Sequence, residues 1–140
     1  MVYNKDMLIG ILLCSRPALH IAVDERNNIG YSVKLRLYLR GEKEFCEAVQ
    51  RTLLQHGITS TYKKRESKIR PKPVLFIGGI KNHYIINSMV NPLLPSIKNK
   101  WKEYIKAYNI MANKKHLTLE GLEELIEIKR GLADGLNEYK

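Results

Sequence analysis

The sequence predicts an α+β domain whose helices cover one face of a four-stranded antiparallel sheet and leave the other face open. Three observations predict it. Residues 32–40 alternate strictly between apolar and polar side chains, the period of a half-buried strand. Helical patterns with recognisable caps flank two candidate strand pairs, giving the order α-β-β-α-β-β-α with extra C-terminal helices. No apolar run approaches the length of a bilayer span, and Met7 to Leu13 lacks a cleavage pattern, so neither anchor nor signal peptide is expected. At 140 residues the chain suits one domain, 1–140.

The first helix is expected over residues 4–15, with Asn4 as N-cap and Asp6 in its first turn. Its core is so uniformly apolar that burial on nearly all sides is expected. Gly10 and Cys14 stand four apart, on one face, where small residues let two helix backbones approach closely. Arg16-Pro17 ends the helix. Residues 18–24 read as a strand with Leu19, Ile21 and Val23 on one face, and Asn27, Asn28 and Gly30 make the turn.

The 32–40 strand places Val33, Leu35, Leu37 and Leu39 inward and Lys34, Arg36, Tyr38 and Arg40 outward. Exposed strands often carry cations simply to block edge pairing. Three with an aromatic and no acid among them is less usual, and a two-stranded ribbon fits the DNA major groove. Gly41 to His56 is the next helix, with Phe45, Ala48, Val49, Thr52 and Leu53 inward and Gly57 closing it. Strands are expected over about 58–65 and 72–78, with a mobile basic loop over 63–72 that carries six basic residues and one acid. After Gly78-Gly79, helices are expected over about 81–90, 96–112 and 118–135. Thr118 caps the last, and Leu122, Leu125, Ile126, Leu132 and Leu136 form its apolar stripe.

Charge is the strongest bulk signal. The net charge is +10, but residues 31–106 alone carry sixteen basic and five acidic side chains. The two ends are close to neutral. A basic middle of this kind is the footprint of a surface that meets a polyanion. A face kept basic for solubility is the bland alternative, and an acidic membrane surface is a third. Cys14 and Cys46 lack ligand spacing and are expected as small buried residues in a reducing compartment. Ser15, His20, His56, His83 and His116 form no catalytic constellation in sequence.

Three segments resemble the LAGLIDADG homing endonucleases. LIGILLCSR, residues 8–16, lies where the family's nine-residue motif should be, with Leu8, Gly10, Ile11 and Leu12 at its apolar and glycine positions. Residues 80–100 look like the family's linker helix and the lysine-bearing segment after it. Residues 115–136, KHLTLEGLEELIEIKRGLADGL, are similar to the His-Leu-Thr…Glu-Gly-Leu…Ile-Lys ending of many members. The resemblance implies a LAGLIDADG-like fold and, for a chain with one motif, a homodimer through Leu8, Gly10, Ile11 and Cys14. It also implies a saddle of two sheets over duplex DNA.

In the family the motif helix ends in acids that hold divalent metal at the scissile phosphates. Here those two positions align with Leu13 and Ser15, and the following glycine with Arg16. Neither side chain offers the anionic oxygen that Mg²⁺ needs. Asp6 is more than two turns away, and Asp24 lies at the far end of a strand. The expectation is therefore a chain without catalytic residues, metal or cofactor: an inactive double-stranded-DNA binder acting as a regulator or architectural factor on a pseudo-palindromic site. An RNA maturase or RNA-binding splicing factor, and an endonuclease with a displaced acid, are the alternatives. Expected DNA contacts are Lys34, Arg36, Tyr38 and Arg40 first. Tyr62, Lys63, Lys64, Arg65, Lys68, Arg70 and Lys72 come second, with Lys98 and Lys100 on the backbone. Lys98 matches the basic residue the family places near its cleavage centre. The expected location is cytoplasmic, nucleoid-associated in a prokaryote, with no membrane partner.

Overall fold

The computed structural model describes residues 2–22, 32–92 and 99–137. Its elements are α1 (Lys5–Leu13), β1 (Arg16–Ala22), β2 (Ser32–Arg40), α2 (Lys43–Gln55), β3 (Thr61–Lys63), β4 (Val74–Ile77), α3 (Ile80–Val90), α4 (Asn99–Ala112) and α5 (Leu119–Asn137). The sheet has four strands in the order β1-β2-β4-β3, and β4 runs antiparallel to both β2 and β3. The expected element order and fold class are those of the structure. The chain divides into two compact units, Met1–Arg16 with Leu37–Pro92 and Pro17–Arg36 with Leu93–Lys140. Strand β2 runs through the boundary.

In the first unit, α1 starts where its cap dictates. Asn4 is extended, and its side chain accepts from the Met7 backbone N–H, satisfying one of the donors a helix start leaves orphaned. The Tyr3 N–H donates to Thr52 Oγ1 at 2.9 Å, tying the entry to α1 onto α2. Helix α2 buries Cys46, Ala48, Val49, Thr52 and Leu53, and Gly57 follows it at φ 78°, the left-handed conformation that glycine adopts without strain. The inner sheet row is apolar throughout. Leu37 pairs with Ile77 and Leu39 with Leu75, and all four are buried.

Several boundaries and faces differ from expectation. Helix α1 ends at Leu13, and β1 begins at Arg16 rather than at residue 18. Strands β3 and β4 are three and four residues long, much shorter than expected, because most of 64–73 forms a hydrogen-bonded turn. Within it the Glu66 N–H donates to the Lys72 carbonyl at 2.9 Å, and the Ser67 N–H to the Arg70 carbonyl at 3.0 Å. The basic segment expected as a loop is thus the tip of the β3–β4 hairpin, tied by these two bonds. Val23, Asp24, Asn27, Asn28, Gly30 and Lys98 lie outside the described residues, as does the side chain of Lys100.

The second unit holds β1, the start of β2, and the helical pair α4 and α5. Trp101 and Tyr104 stack edge to face with centroids 4.9 Å apart, and Tyr104 is fully buried. Thr118 caps α5, its Oγ1 accepting from the Gly121 N–H at 3.1 Å. The buried stripe of α5 is Leu122, Leu125, Ile128 and Leu132. Ile126, expected in that stripe, is exposed, and Ile128 takes the place on the inward face. A step of three from Leu125 follows the helical period, whereas a step of one turns the side chain about 100° away. Leu136 lies in α5, but its side chain is outside the described residues.

Candidate nucleic-acid interface

The outward face of the sheet is fixed by strand register. In an antiparallel pair, directly opposed residues point to the same side. Tyr38 opposes Phe76, which opposes Thr61; Arg40 opposes Val74, which opposes Lys63. Two rows on this side of the sheet therefore cross β2, β4 and β3, although Val74, in the middle of the second, is itself buried. The Tyr38 and Phe76 rings lie 5.9 Å apart at 39°. Arg40 sits 5.6 Å over the Tyr38 ring, and the Lys63 ammonium lies 5.6 Å from the Phe76 ring centroid. These are cation–π distances, at which each ring holds its cation in place. The result is a half-exposed aromatic pair flanked by two charges, a surface suited to a polyanion bearing flat bases.

Register also removes one expected contact. Tyr62 opposes Leu75, so it shares the inward row with Leu39 and is half-buried. It belongs to the core side of β3 and not to the outward face. Phe76 and Thr61 are the residues sequence reasoning missed. Their signal was weak, because β4 is nearly continuous in apolar residues and shows no alternation. Lys34 and Arg36 occupy alternate positions of β2 in the second unit, Lys34 exposed and Arg36 half-exposed.

The hairpin tip adds Lys64, Arg65, Lys68, Arg70 and Lys72, all exposed. Arg40, expected to face a ligand, already has a partner. Its Nε donates to Glu66 Oε1 at 2.7 Å and its Nη2 to Oε2 at 2.9 Å. That bidentate bond holds the Glu66 carboxyl below the usual carboxylate range against a partial desolvation, with Arg70 and Lys63 acting in the same direction.

Helix α1 borders a groove of about 700 Å³ whose lining includes Met7, Gly10, Ile11 and Cys14 together with Arg16, Arg40 and Arg70. Only Leu8 and Leu12 of α1 are buried. Met7 is 49% exposed, and a Cβ added at Gly10 would meet nothing within 4 Å. The expectation of a helix buried all round does not hold within this chain. Cys14 corrects a second expectation: it caps the helix and is exposed, whereas Cys46 is buried as expected. Burial pushes the Cys46 thiol up, with Glu42 and Glu47 adding to it.

Ser15 is 3% exposed, and its hydroxyl donates to the Leu12 carbonyl at 2.5 Å. Arg16, Arg40 and Arg70 share the groove with it. A buried hydroxyl already engaged, among guanidinium groups, is a poor donor set for a hard cation. Among the described residues, those lining the groove do not fit Mg²⁺.

No family model matches the sequence, and no curated protein matches it. Solved structures do. The homing endonuclease I-TnaI superposes at TM-score 0.73 with 18% identity, covering 100% of both chains. The LAGLIDADG homing endonuclease I-LtrWI, bound to target DNA, gives TM-score 0.70 at 23% identity over 91% of this chain and 43% of its own. The archaeal intron-encoded homing endonuclease I-Vdi141I, complexed with DNA, gives TM-score 0.71 at 15% identity over 93% of this chain and 82% of its own. The chain has the LAGLIDADG homing endonuclease fold, and it spans less than half the length of I-LtrWI. Among the described residues no helix is long and apolar enough to cross a membrane.

Proposed function

We propose that this chain, built on the LAGLIDADG homing endonuclease fold, is a homodimeric duplex-DNA-binding protein that does not cut, acting as a regulator or an architectural factor. One observation carries the loss of cleavage. Ser15, which aligns with a metal-holding acid, is buried, bonded to its own helix and set among arginines. Without metal at that point, the attacking water and the leaving oxygen lose their charge stabilisation.

DNA binding is supported by the outward cations and aromatics, by the net charge of +10, and by the DNA complexes of I-LtrWI and I-Vdi141I. Association in pairs is supported by the uncovered face of α1. A chain matching 43% of I-LtrWI would supply in two copies what the longer chain holds in one. The proposed contacts are Lys34, Arg36, Tyr38, Arg40 and Lys63 on the sheet. Lys64, Arg65, Lys68, Arg70 and Lys72 stand on the hairpin, and Lys98 and Lys100 contact the backbone. Lys34, Arg36 and Tyr38 reach base edges, while Arg40, Lys63 and the hairpin cations hold phosphates.

The test begins by selecting a preferred duplex from random DNA and incubating it with the protein and Mg²⁺ or Mn²⁺. The DNA should stay intact; cleavage that chelator abolishes would sink the proposal. Arg36→Ala should lower affinity for the selected site more than for random duplex, by about 1–3 kcal/mol of discrimination. Lys64→Ala should weaken both alike and reduce the salt slope. Preference for structured RNA over every duplex would replace the DNA reading with the splicing one.

A further inference from the structure

Glu66 is the sole acidic residue between Glu47 and Glu103, a stretch that holds the whole basic hairpin. An acid there lowers the attraction of the surface for any polyanion, so its position needs a reason. Geometry supplies one. Arg40, Val74 and Lys63 lie abreast on three neighbouring strands, which separates the Arg40 and Lys63 backbones by about 10 Å. The hairpin returns over this row, closed by the Glu66–Lys72 and Ser67–Arg70 backbone bonds and by the Arg70 N–H donating to Ser67 Oγ at 3.0 Å. Glu66 is thereby set with both carboxylate oxygens on the Arg40 fork. Arg40 and Arg70 also line the groove beside α1.

A guanidinium fork binds a carboxylate and a phosphate with the same two parallel N–H···O bonds. We propose that Arg40, Lys63 and Arg70 form a phosphodiester-binding site in which the Glu66 carboxylate stands while no nucleic acid is bound, and from which a backbone phosphate displaces it. The inference rests on the nucleic-acid-binding reading above and adds a selectivity device to it. A duplex that makes only loose phosphate contacts must compete with an internal anion held at effectively high concentration. A duplex docked in register by its base contacts brings its phosphate to the fork and wins. Glu66 thus suppresses non-specific binding. It stays ionised through the neutral range, because Arg40 holds its carboxyl low.

The experiment compares wild type with Glu66→Gln on a labelled duplex of random sequence across a salt series, with thermal unfolding to verify that both are folded. Glu66→Gln keeps the shape but cannot hold the fork as an anion. It should bind random duplex up to about fivefold tighter, the range in which a half-exposed ion pair competes. Its salt slope should be steeper by about one unit for the phosphate newly engaged in each subunit. In an Arg40→Ala background the same substitution should gain much less, because no fork is released. Binding by Glu66→Gln that is unchanged or weaker would show that the carboxylate only orders the hairpin, and an equal gain with and without Arg40 would reduce the effect to bulk charge. Either outcome overturns the site while leaving duplex binding intact. Failure of both folded proteins to bind any duplex would remove the underlying reading, and this inference with it.

Discussion

Helices α1 and α2 pack on each other in the same unit, yet each relates differently to its surroundings. Helix α2 is amphipathic: its apolar stripe is buried by the chain itself, while Lys43, Glu44, Arg51 and Gln55 face outward. Helix α1 is apolar nearly all round, yet its own chain buries only Leu8 and Leu12 and leaves Ile9, Ile11 and Leu13 half-buried. Its glycine sharpens the contrast. In α5, a Cβ added at Gly121 would come within 1.8 Å of the Lys115 carbonyl oxygen, so the chain itself requires glycine there. At Gly10 there is open space, although glycine inside a helix costs about 1 kcal/mol relative to alanine. Open space alone is not diagnostic, since Gly131 in α5 is equally open, but on the uncovered face of α1 a glycine suits the close approach of a second helix that the proposed homodimer requires.

The largest expected effect tests the covered side. Leu12→Ala removes a fully buried side chain and should lower stability by about 2–5 kcal/mol, read from denaturant midpoints. Ile11→Ala, one residue around the helix and only half-buried, should cost the diluted chain less than about 1 kcal/mol and weaken association instead. Equal losses from the two would mean that α1 is not two-faced.

The glycine pair comes next. Gly121→Ala should destabilise by about 1–3 kcal/mol, because the atom it would meet is backbone and cannot swing aside. Gly10→Ala should do the reverse, stabilising the diluted chain by up to about 1 kcal/mol while raising the dimer dissociation constant measured by sedimentation. Gly10→Leu should abolish the dimer. A wild-type mass of one chain at micromolar concentration would remove the explanation of Gly10 altogether.

How far this contrast was legible in the sequence depended on whether a signal was local. The alternation in β2 was legible because one face of that strand is buried and the other is not, so every second residue reports the same environment. Asn4, Gly57 and Thr118 were legible because caps act within a few residues of themselves. Tyr62 was not. Its direction depends on pairing with Leu75, and a shift of one residue in register reverses a strand's faces. The Arg40–Glu66 bond joins residues 26 apart and depends on the hairpin path, which no local pattern encodes. The all-round apolar character of α1 was visible, but a sequence does not say whether its own chain or another supplies the cover. The same reasoning misplaced Cys14.

The two cysteines give the gentlest test of the comparison, because native thiols report each helix without a substitution. A thiol must be exposed and partly ionised to be alkylated. Cys46 on α2 is buried, and both desolvation and the neighbouring Glu42 and Glu47 raise its pKa, so at neutral pH it should be protected until the chain unfolds. Cys14 at the end of α1 is exposed in the single chain and should take up iodoacetamide. Its rate carries the information. If the Gly10–Cys14 face meets a second copy, alkylation of Cys14 in native protein should slow as concentration rises through the dimer dissociation constant, while Cys46 stays protected throughout. Gly10→Leu should hold Cys14 at the dilute rate at every concentration, and mass spectrometry of the two cysteine peptides separates the sites. A wild-type Cys14 rate independent of concentration in a protein that does dimerise would move the interface away from α1. The uncovered helix would then need a different partner.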